Sequence, residues 1–536
     1  MRPGDFHYGA FRFIGCFFGG LRKFLLLTFS ALIVLVILAA PAPAFTSNSS
    51  SASGDEIRSL IKKAGKLTRD GSFAEAEALL RRALQIDPDR RDASVELAFV
   101  LVKERRLLDA YNICLPIVER EPGNSRAFAV MGAMLLSAGR FPEARGFFVN
   151  AIRLNRKEHL AWAGLGMLNF YENKIDDGFY NLLKAIDLRQ DEPDYLFACA
   201  QAAGRTERYE EAAAHYEHFL RVSGELDSDR RERIKGLISF LKVLGTSGTL
   251  YSTDGRDQTS IPFELEGDRP IIKLRMNDKA EPLRFVLDTG SGISVISDAA
   301  AKRLKIRPIT RGGYAKGIGG DGKFEIVYGL VRKVAIGDVS IRNVPVYLRK
   351  FQDVTQAVDG YIGLALISKF LTTIDYGDRT FSLTKRGDDT REFQKSDTLS
   401  LPLRLTSSGF LSGEVQLEGI DAMLNFIVDT GASVSVISER VAKTDGISPF
   451  VNDEKIRVIG SAGIREAVSS FLLPRVTFGQ HTRTSIKAVA LDLDLINEAS
   501  GFEQAGILGG NFLKNYRLTF DFKNSKVVFE AIKPEN

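Results

Sequence analysis

The stretch Phe285-Val-Leu-Asp288-Thr-Gly-Ser-Gly-Ile-Ser-Val-Ile-Ser297 returns 141 residues later as Phe426-Ile-Val-Asp429-Thr-Gly-Ala-Ser-Val-Ser-Val-Ile-Ser438, with eight of 13 positions identical. Each copy is an apolar run, an Asp-Thr-Gly turn and a second apolar run, a pattern that reads as strand, tight loop, strand. The same offset carries Gly319, in Lys316-Gly-Ile-Gly-Gly-Asp-Gly322, onto Gly460, in Arg457-Val-Ile-Gly-Ser-Ala-Gly463. Further on, Asp359-Gly-Tyr-Ile-Gly363 matches Ala505-Gly-Ile-Leu-Gly509, and Thr373-Ile-Asp-Tyr376 matches Thr519-Phe-Asp-Phe522, both at an offset of 146. Whole lobes are therefore duplicated, one over 261–386 and its copy over 399–533, joined by a charged connector at 385–397. Short runs bounded by glycine and charged turns predict that both lobes are all-β.

Three features recur in order in each lobe: Asp-Thr-Gly after an apolar strand, a glycine-rich segment, and an apolar-apolar-Gly element near the end. In this each lobe resembles the retropepsin-like aspartic peptidases. The resemblance implies that Asp288 and Asp429 are catalytic and hydrolyse peptide bonds through an activated water. Two adjacent carboxylates cannot both ionise easily and share one proton. The ionised one takes a proton from water while the protonated one polarises the carbonyl oxygen. The pair titrates as a unit, so neither aspartate is the permanent acid. By the same resemblance, Thr289 and Thr430 brace the two loops across the lobe interface. Gly290 and Gly431 admit backbone close to the carboxylates. Gly317, Gly319, Gly320 and Gly460 suit flap tips that close over substrate. Gly363 and Gly509 read as packing glycines beneath the loops, and Asp375 and Asp521 as structural turn or edge residues. Gly292, where the copy has Ser433, is expected to loosen the first loop.

One lobe supplies one aspartate, so a site needs two lobes. An intramolecular pseudo-dimer is the economical arrangement, and a homodimer pairing lobes from two chains is the alternative. The expected activity is that of an aspartic endopeptidase acting on a peptide or protein substrate. The competing reading is an inactive protease-like binding or scaffold protein of the cell envelope.

The first half has a different periodicity. From about 57 to 226 a 34-residue period places small residues at Ala64, Ala98, Gly132, Gly166 and Ala200. Large apolar residues recur at Phe73, Leu107, Phe141, Ile175 and Tyr209, and small ones again at Ala76, Ala110, Ala144, Gly178 and Ala212. Two antiparallel helices per unit satisfy this alternation. Residues 71–88 resemble the tetratricopeptide repeat. The expectation is an all-α solenoid over 55–245, with five repeats and a capping helix at 227–244 whose polar face points outward. The resemblance implies a groove for a peptide or protein partner; the alternative is a spacer between the lobes and a membrane. Residues 245–260 read as a Gly/Ser/Thr-rich linker.

At the N-terminus an apolar run at 24–40 follows Arg12, Arg22 and Lys23 and precedes Pro41-Ala-Pro-Ala44 and Ser/Asn-rich sequence. Residues 1–54 are thus expected to be a signal peptide or membrane anchor plus linker. Either form places the remainder outside the cytoplasm, in the periplasm or secreted.

The 536 residues carry 72 basic and 67 acidic side chains, spread along the chain, which leaves no basic stripe for nucleic acid. Of three cysteines, none lies beyond Cys199, so the second half has no disulfide framework; Cys114 and Cys199 read as buried thiols. Only His481 among five histidines lies in that half, so a serine or cysteine catalytic group there would depend on it. His215 and His218 are three apart on a helix, a spacing open to a metal, but they read more simply as exposed helix positions. No metal or cofactor is expected.

Overall fold

A computed structural model describes residues 49–224, 228–317, 322–351, 358–386, 400–461 and 463–532. The expected address at 24–40 and residues 387–397 of the expected connector lie outside these residues. Among the described residues no helix is long and apolar enough to cross a membrane.

Five antiparallel helix pairs come first. They are Ser49–Asp70 with Phe73–Ile86, Arg91–Lys103 with Leu107–Arg120, Ser125–Ser137 with Phe141–Leu154, His159–Tyr171 with Ile175–Leu188, and Pro193–Arg205 with Tyr209–Val222. The second helices start at the five large apolar residues of the period. Ala64, Ala98 and Ala200 are fully buried, and a Cβ on Gly132 would lie 2.7 Å from the Phe148 ring, so the small residues do permit close helix approach. The first helix begins at Ser49, inside the stretch expected to be linker. Cys114 and Cys199 are buried free thiols. His215 and His218 are half-buried rather than exposed: His215 packs edge-on to Phe179, and His218 lies 3.9 Å from Asp191.

The helix Ser228–Thr246 departs from a simple cap, because it has two apolar faces. Ile234, Ile238 and Leu241, spaced by one turn, join the core of the repeats. Phe240 and Leu244 pack instead with Leu250 and Tyr328 of the first lobe. The Phe240 and Tyr328 rings stack at 4.5 Å, and Arg233 donates to the Tyr314 carbonyl at 2.6 Å. A helix buried on both sides joins the two halves where a polar outer face was expected.

The first lobe also starts earlier than 261. Strand Ser252–Gly255 pairs with 339–342, and Gln258–Glu266 pairs with Arg269–Met276. These polar residues form a strand with one exposed face, which composition alone presents as linker. Each lobe then repeats one plan. In the first, Leu283–Leu287 lies parallel to Gly360–Ile362, and Ser294–Ser297 parallel to Val339–Arg349. In the second, Leu424–Val428 lies parallel to Gly506–Leu508, and Ser435–Ser438 parallel to His481–Leu491. The lobes share a sheet at their junction: Phe370–Asp375 pairs antiparallel with Tyr516–Asp521, bringing Thr373 opposite Thr519 with hydroxyls 3.1 Å apart. Asp375 accepts from the Gly377 and Asp378 amides, and Asp521 from the Asn524 amide, so both close turns, as expected.

The repeats pack directly on the lobes. In each pair the turn between helices passes through one residue of positive φ: Gly71, Arg105, Gly139, Asn173 and Glu207. The last four form a row against the lobes. Arg105 donates to the Asn497 carbonyl at 3.4 Å, Gly139 abuts the Asn425 side chain, Asn173 donates to the Phe522 carbonyl at 2.9 Å, and Glu207 pairs with Lys369. Phe502, from the second lobe, is fully buried in the repeat core between Phe141 and Tyr171, with ring centroids 4.9 and 5.0 Å away.

Candidate active site

Each Asp-Thr-Gly turn leaves the end of a buried strand, Leu283–Leu287 or Leu424–Val428. The strand neighbour fixes the loop: the Asp288 amide donates to the Ile362 carbonyl and the Asp429 amide to the Leu508 carbonyl, both at 3.0 Å. Gly363 and Gly509 lie beneath. A Cβ on Gly363 would be 2.7 Å from the Ser291 carbonyl oxygen, and one on Gly509 2.7 Å from the Val434 carbonyl carbon. Their amides donate to the Ser294 and Ser435 hydroxyls, each at 3.1 Å. These two serines were not singled out from sequence, although both lie at identical positions of the duplicated 13-residue stretch.

The two loops meet within one chain. The Thr289 hydroxyl donates to the Val428 carbonyl at 2.8 Å and accepts from the Thr430 amide at 3.0 Å. Reciprocally, the Thr430 hydroxyl donates to the Leu287 carbonyl at 2.7 Å and accepts from the Thr289 amide at 3.2 Å. Both threonines are fully buried, so all these groups depend on one another for hydrogen bonds. Thr289→Val keeps the shape but orphans the Val428 carbonyl and the Thr430 amide. It is expected to cost about 3 kcal/mol of stability, read from urea unfolding; a loss near zero would contradict this bracing.

The carboxyl groups of Asp288 and Asp429 come together where the two loops meet, near enough for each to shift the other's titration. Each also accepts from its own loop, from the Gly290 amide at 2.9 Å and the Gly431 amide at 2.7 Å. Each glycine faces the opposite carboxylate: a Cβ on Gly431 would lie 2.6 Å from Asp288 Oδ1, and one on Gly290 would overlap the Asp429 carboxyl. Burial, then the Asp429 charge, pushes the Asp288 carboxyl well above the ordinary range. Burial also raises that of Asp429, against the opposing pull of the loop amides. Both side chains keep partial solvent exposure. Such a pair can hold one proton and one charge at the same time.

Arg269 stands close enough to favour ionised Asp288. The duplication gave no signal for it, because the equivalent residue of the second lobe is Phe410. Gly292 does not act as a loosening residue. A Cβ there would overlap the Ser408 carbonyl oxygen of the second lobe, so glycine permits a close approach between lobes.

Each lobe also carries a long antiparallel hairpin. In the first, Thr310–Lys316 pairs with Lys323–Ile336 and Gly317 follows the first strand; Gly319 and Gly320 lie outside the described residues. In the second, Val451–Gly460 pairs with Gly463–Phe478, and Gly460 opposite Gly463 closes the hairpin. Among the described residues no cluster of three metal-ligating side chains occurs. His481 packs between the Tyr516 and Phe529 rings at the start of its strand.

This arrangement is that of an aspartyl protease-like fold in duplicate, behind a helical solenoid. Residues 272–366 and 414–512 match the family model described as aspartyl protease, and residues 67–134 the one described as tetratricopeptide repeat. The chain thus carries tetratricopeptide repeats in its N-terminal half and a retropepsin-like aspartyl protease domain in two segments in its C-terminal half. Among solved structures it is similar to a thermophilic tetratricopeptide-repeat protein, TTC0263 of Thermus thermophilus, at 22% identity, covering 34% of this chain and 98% of the other with a TM-score of 0.30. It is also similar to a structure titled as the functional characterization of Pseudomonas aeruginosa pilF, at 20% identity, covering 37% of this chain and 90% of the other with a TM-score of 0.27. No curated protein matches.

Proposed function

We propose that the chain is an aspartic-type endopeptidase, with Asp288 and Asp429 as a single-chain catalytic dyad. The observation that carries this reading is the meeting of the two carboxyls at the junction of the lobes, each seated against the glycine of the opposite Asp-Thr-Gly loop. Water held between them loses a proton to the ionised carboxylate as it attacks the peptide carbonyl. The protonated carboxyl donates to the carbonyl oxygen and stabilises the charge that develops there. Proton transfer to the leaving amine then restores the pair. Thr289, Thr430, Gly290 and Gly431 hold this geometry. The two hairpins, with Gly317 and Gly460, cover the substrate. The repeats supply the surface for a substrate or partner protein.

The apolar run at 24–40, with its basic flank, supports an extracytoplasmic site of action, secreted or anchored. Protease accessibility of the full chain in intact and lysed cells tests the location; protection in cells with a permeabilised outer boundary would contradict it. The function is tested by incubating the full-length chain with a peptide library and reading products by mass spectrometry. Internal cleavages made by the parent and missing with an Asp288→Asn, Asp429→Asn double variant are expected. An identical product set from both proteins, or none from either, would overturn the reading.

A further inference from the structure

The two active loops are each backed by a hairpin tip from the opposite lobe, and the two tips are held differently. In the first lobe, strands Gln258–Glu266 and Arg269–Met276 turn at Gly267 and Asp268. This tip packs on the second active loop: a Cβ on Gly267 would lie 3.2 Å from the Ser433 hydroxyl. Lys514 of the second lobe clamps it through Asp268 at 3.0 Å. In the second lobe, strands Arg404–Leu405 and Leu411–Leu417 join through the loop 406–410. Its Ser408 carbonyl faces Gly292 of the first active loop, and a Cβ on Gly409 would lie 3.3 Å from the Gly292 Cα. The offset of 141 relates the tips and their targets alike, Gly267 to Ser408 and Gly292 to Ser433.

The second tip is clamped by the repeats. Arg205, at the end of the helix Pro193–Arg205, donates from Nη2 to the Thr406 carbonyl at 3.3 Å. Its guanidinium lies over the Phe170 ring at 4.8 Å, and its buried Nη1 has no hydrogen-bond partner among the described residues. The Tyr171 hydroxyl lies 3.4 Å from that of Ser407. Thr406 is fully buried, and its carbonyl also accepts from the Gly409 amide at 3.0 Å, so this oxygen sets the path of the loop. The structure assigns Arg205 and Tyr171 of the helical repeats as positioning residues for the Asp288 loop, acting through the tip at 406–409 that backs Gly292.

The functional consequence rests on the peptidase reading, but the structural link does not. It is tested on the full-length chain by hydrogen exchange, comparing the parent with Arg205→Ala. Exchange over 287–294 and 406–410 is expected to rise about tenfold, the loss of one charged hydrogen bond. The part of the second active loop beyond the crossed threonine bonds, 432–435, backed by the Asp268 tip, should keep its parental protection, and Arg205→Lys should restore part of the loss. Unchanged exchange over 287–294 in a folded Arg205→Ala chain would overturn the assignment. So would a uniform rise across both active loops, which marks general loosening. If Arg205→Ala does not fold, Tyr171→Phe, which keeps the ring packing, is read in the same way with a smaller rise of about threefold. On a peptide that the parent cleaves, Arg205→Ala is expected to lower kcat with KM near parental, since the loop carries a reacting group. A parent that cleaves no peptide defeats the peptidase reading, while the exchange comparison still decides this one.

Discussion

Asparagine at either Asp288 or Asp429 is expected to lower peptide hydrolysis by about a thousandfold or more, because the dyad needs one carboxylate to take the water proton and one carboxyl to polarise the carbonyl. The amide is nearly the size of the carboxyl and can keep the loop hydrogen bonds from Gly290 or Gly431, so both variants should fold. Their stability reports the same pair independently of activity. Burial raises both carboxyls, so the folded state holds protons more tightly than the unfolded chain. The sign follows: stability is full below the unfolded pKa and is lost as pH rises through the folded values. Asp288→Asn removes that penalty. It is therefore expected to melt higher than the parent near pH 7, with the gap closing towards about pH 3, where the parent dyad is protonated. A melting temperature below that of the parent near pH 7 would mean that the carboxyl pair is not strained by its burial.

The second large effect is expected where the two halves join. Phe502 is fully buried among Phe141 and Tyr171, and Arg404 of the same lobe lies over Phe141 at 4.3 Å. Phe502→Ala empties a ring-sized space in a core shared by repeats and lobe, a change that typically costs about 3–5 kcal/mol. Unfolding should then separate into two steps, because the helical half loses its firmest attachment to the lobes. Differential scanning calorimetry reads this directly; a single transition at the parental temperature would show that the junction contributes little. The row of turn residues Arg105, Asn173 and Glu207 keeps some attachment through polar contacts near the surface, which are individually weak.

The duplicated stretch exposed most of the candidate site to sequence reading. Asp288 with Asp429, Thr289 with Thr430 and Gly290 with Gly431 repeat at one offset, and pseudo-symmetry forces repeated residues into equivalent places. The period of 34 exposed the helix pairs for the same reason. What broke the symmetry stayed hidden. Arg269 corresponds to Phe410, so no repeat marks it. Gly292 looked like a loosened loop because the Ser408 carbonyl that occupies its missing Cβ lies more than a hundred residues away in the chain. Of the turn residues with positive φ, only Gly71 and Gly139 are glycines; arginine, asparagine and glutamate hold the other three, so composition does not reveal the row. The early strands of the first lobe and the second apolar face of the helix Ser228–Thr246 stayed hidden because their residues are explained only by what they pack against.

The claim that one chain builds the whole site is tested most directly by co-expressing the Asp288→Asn chain with the Asp429→Asn chain and assaying the mixture. The crossed threonine bonds join the two loops within a single chain, so every molecule in the mixture should carry one damaged dyad and hydrolysis should stay at the level of either variant alone. Recovery of a substantial share of parental activity would mean that Asp288 of one chain meets Asp429 of another, and the single-chain site would be wrong.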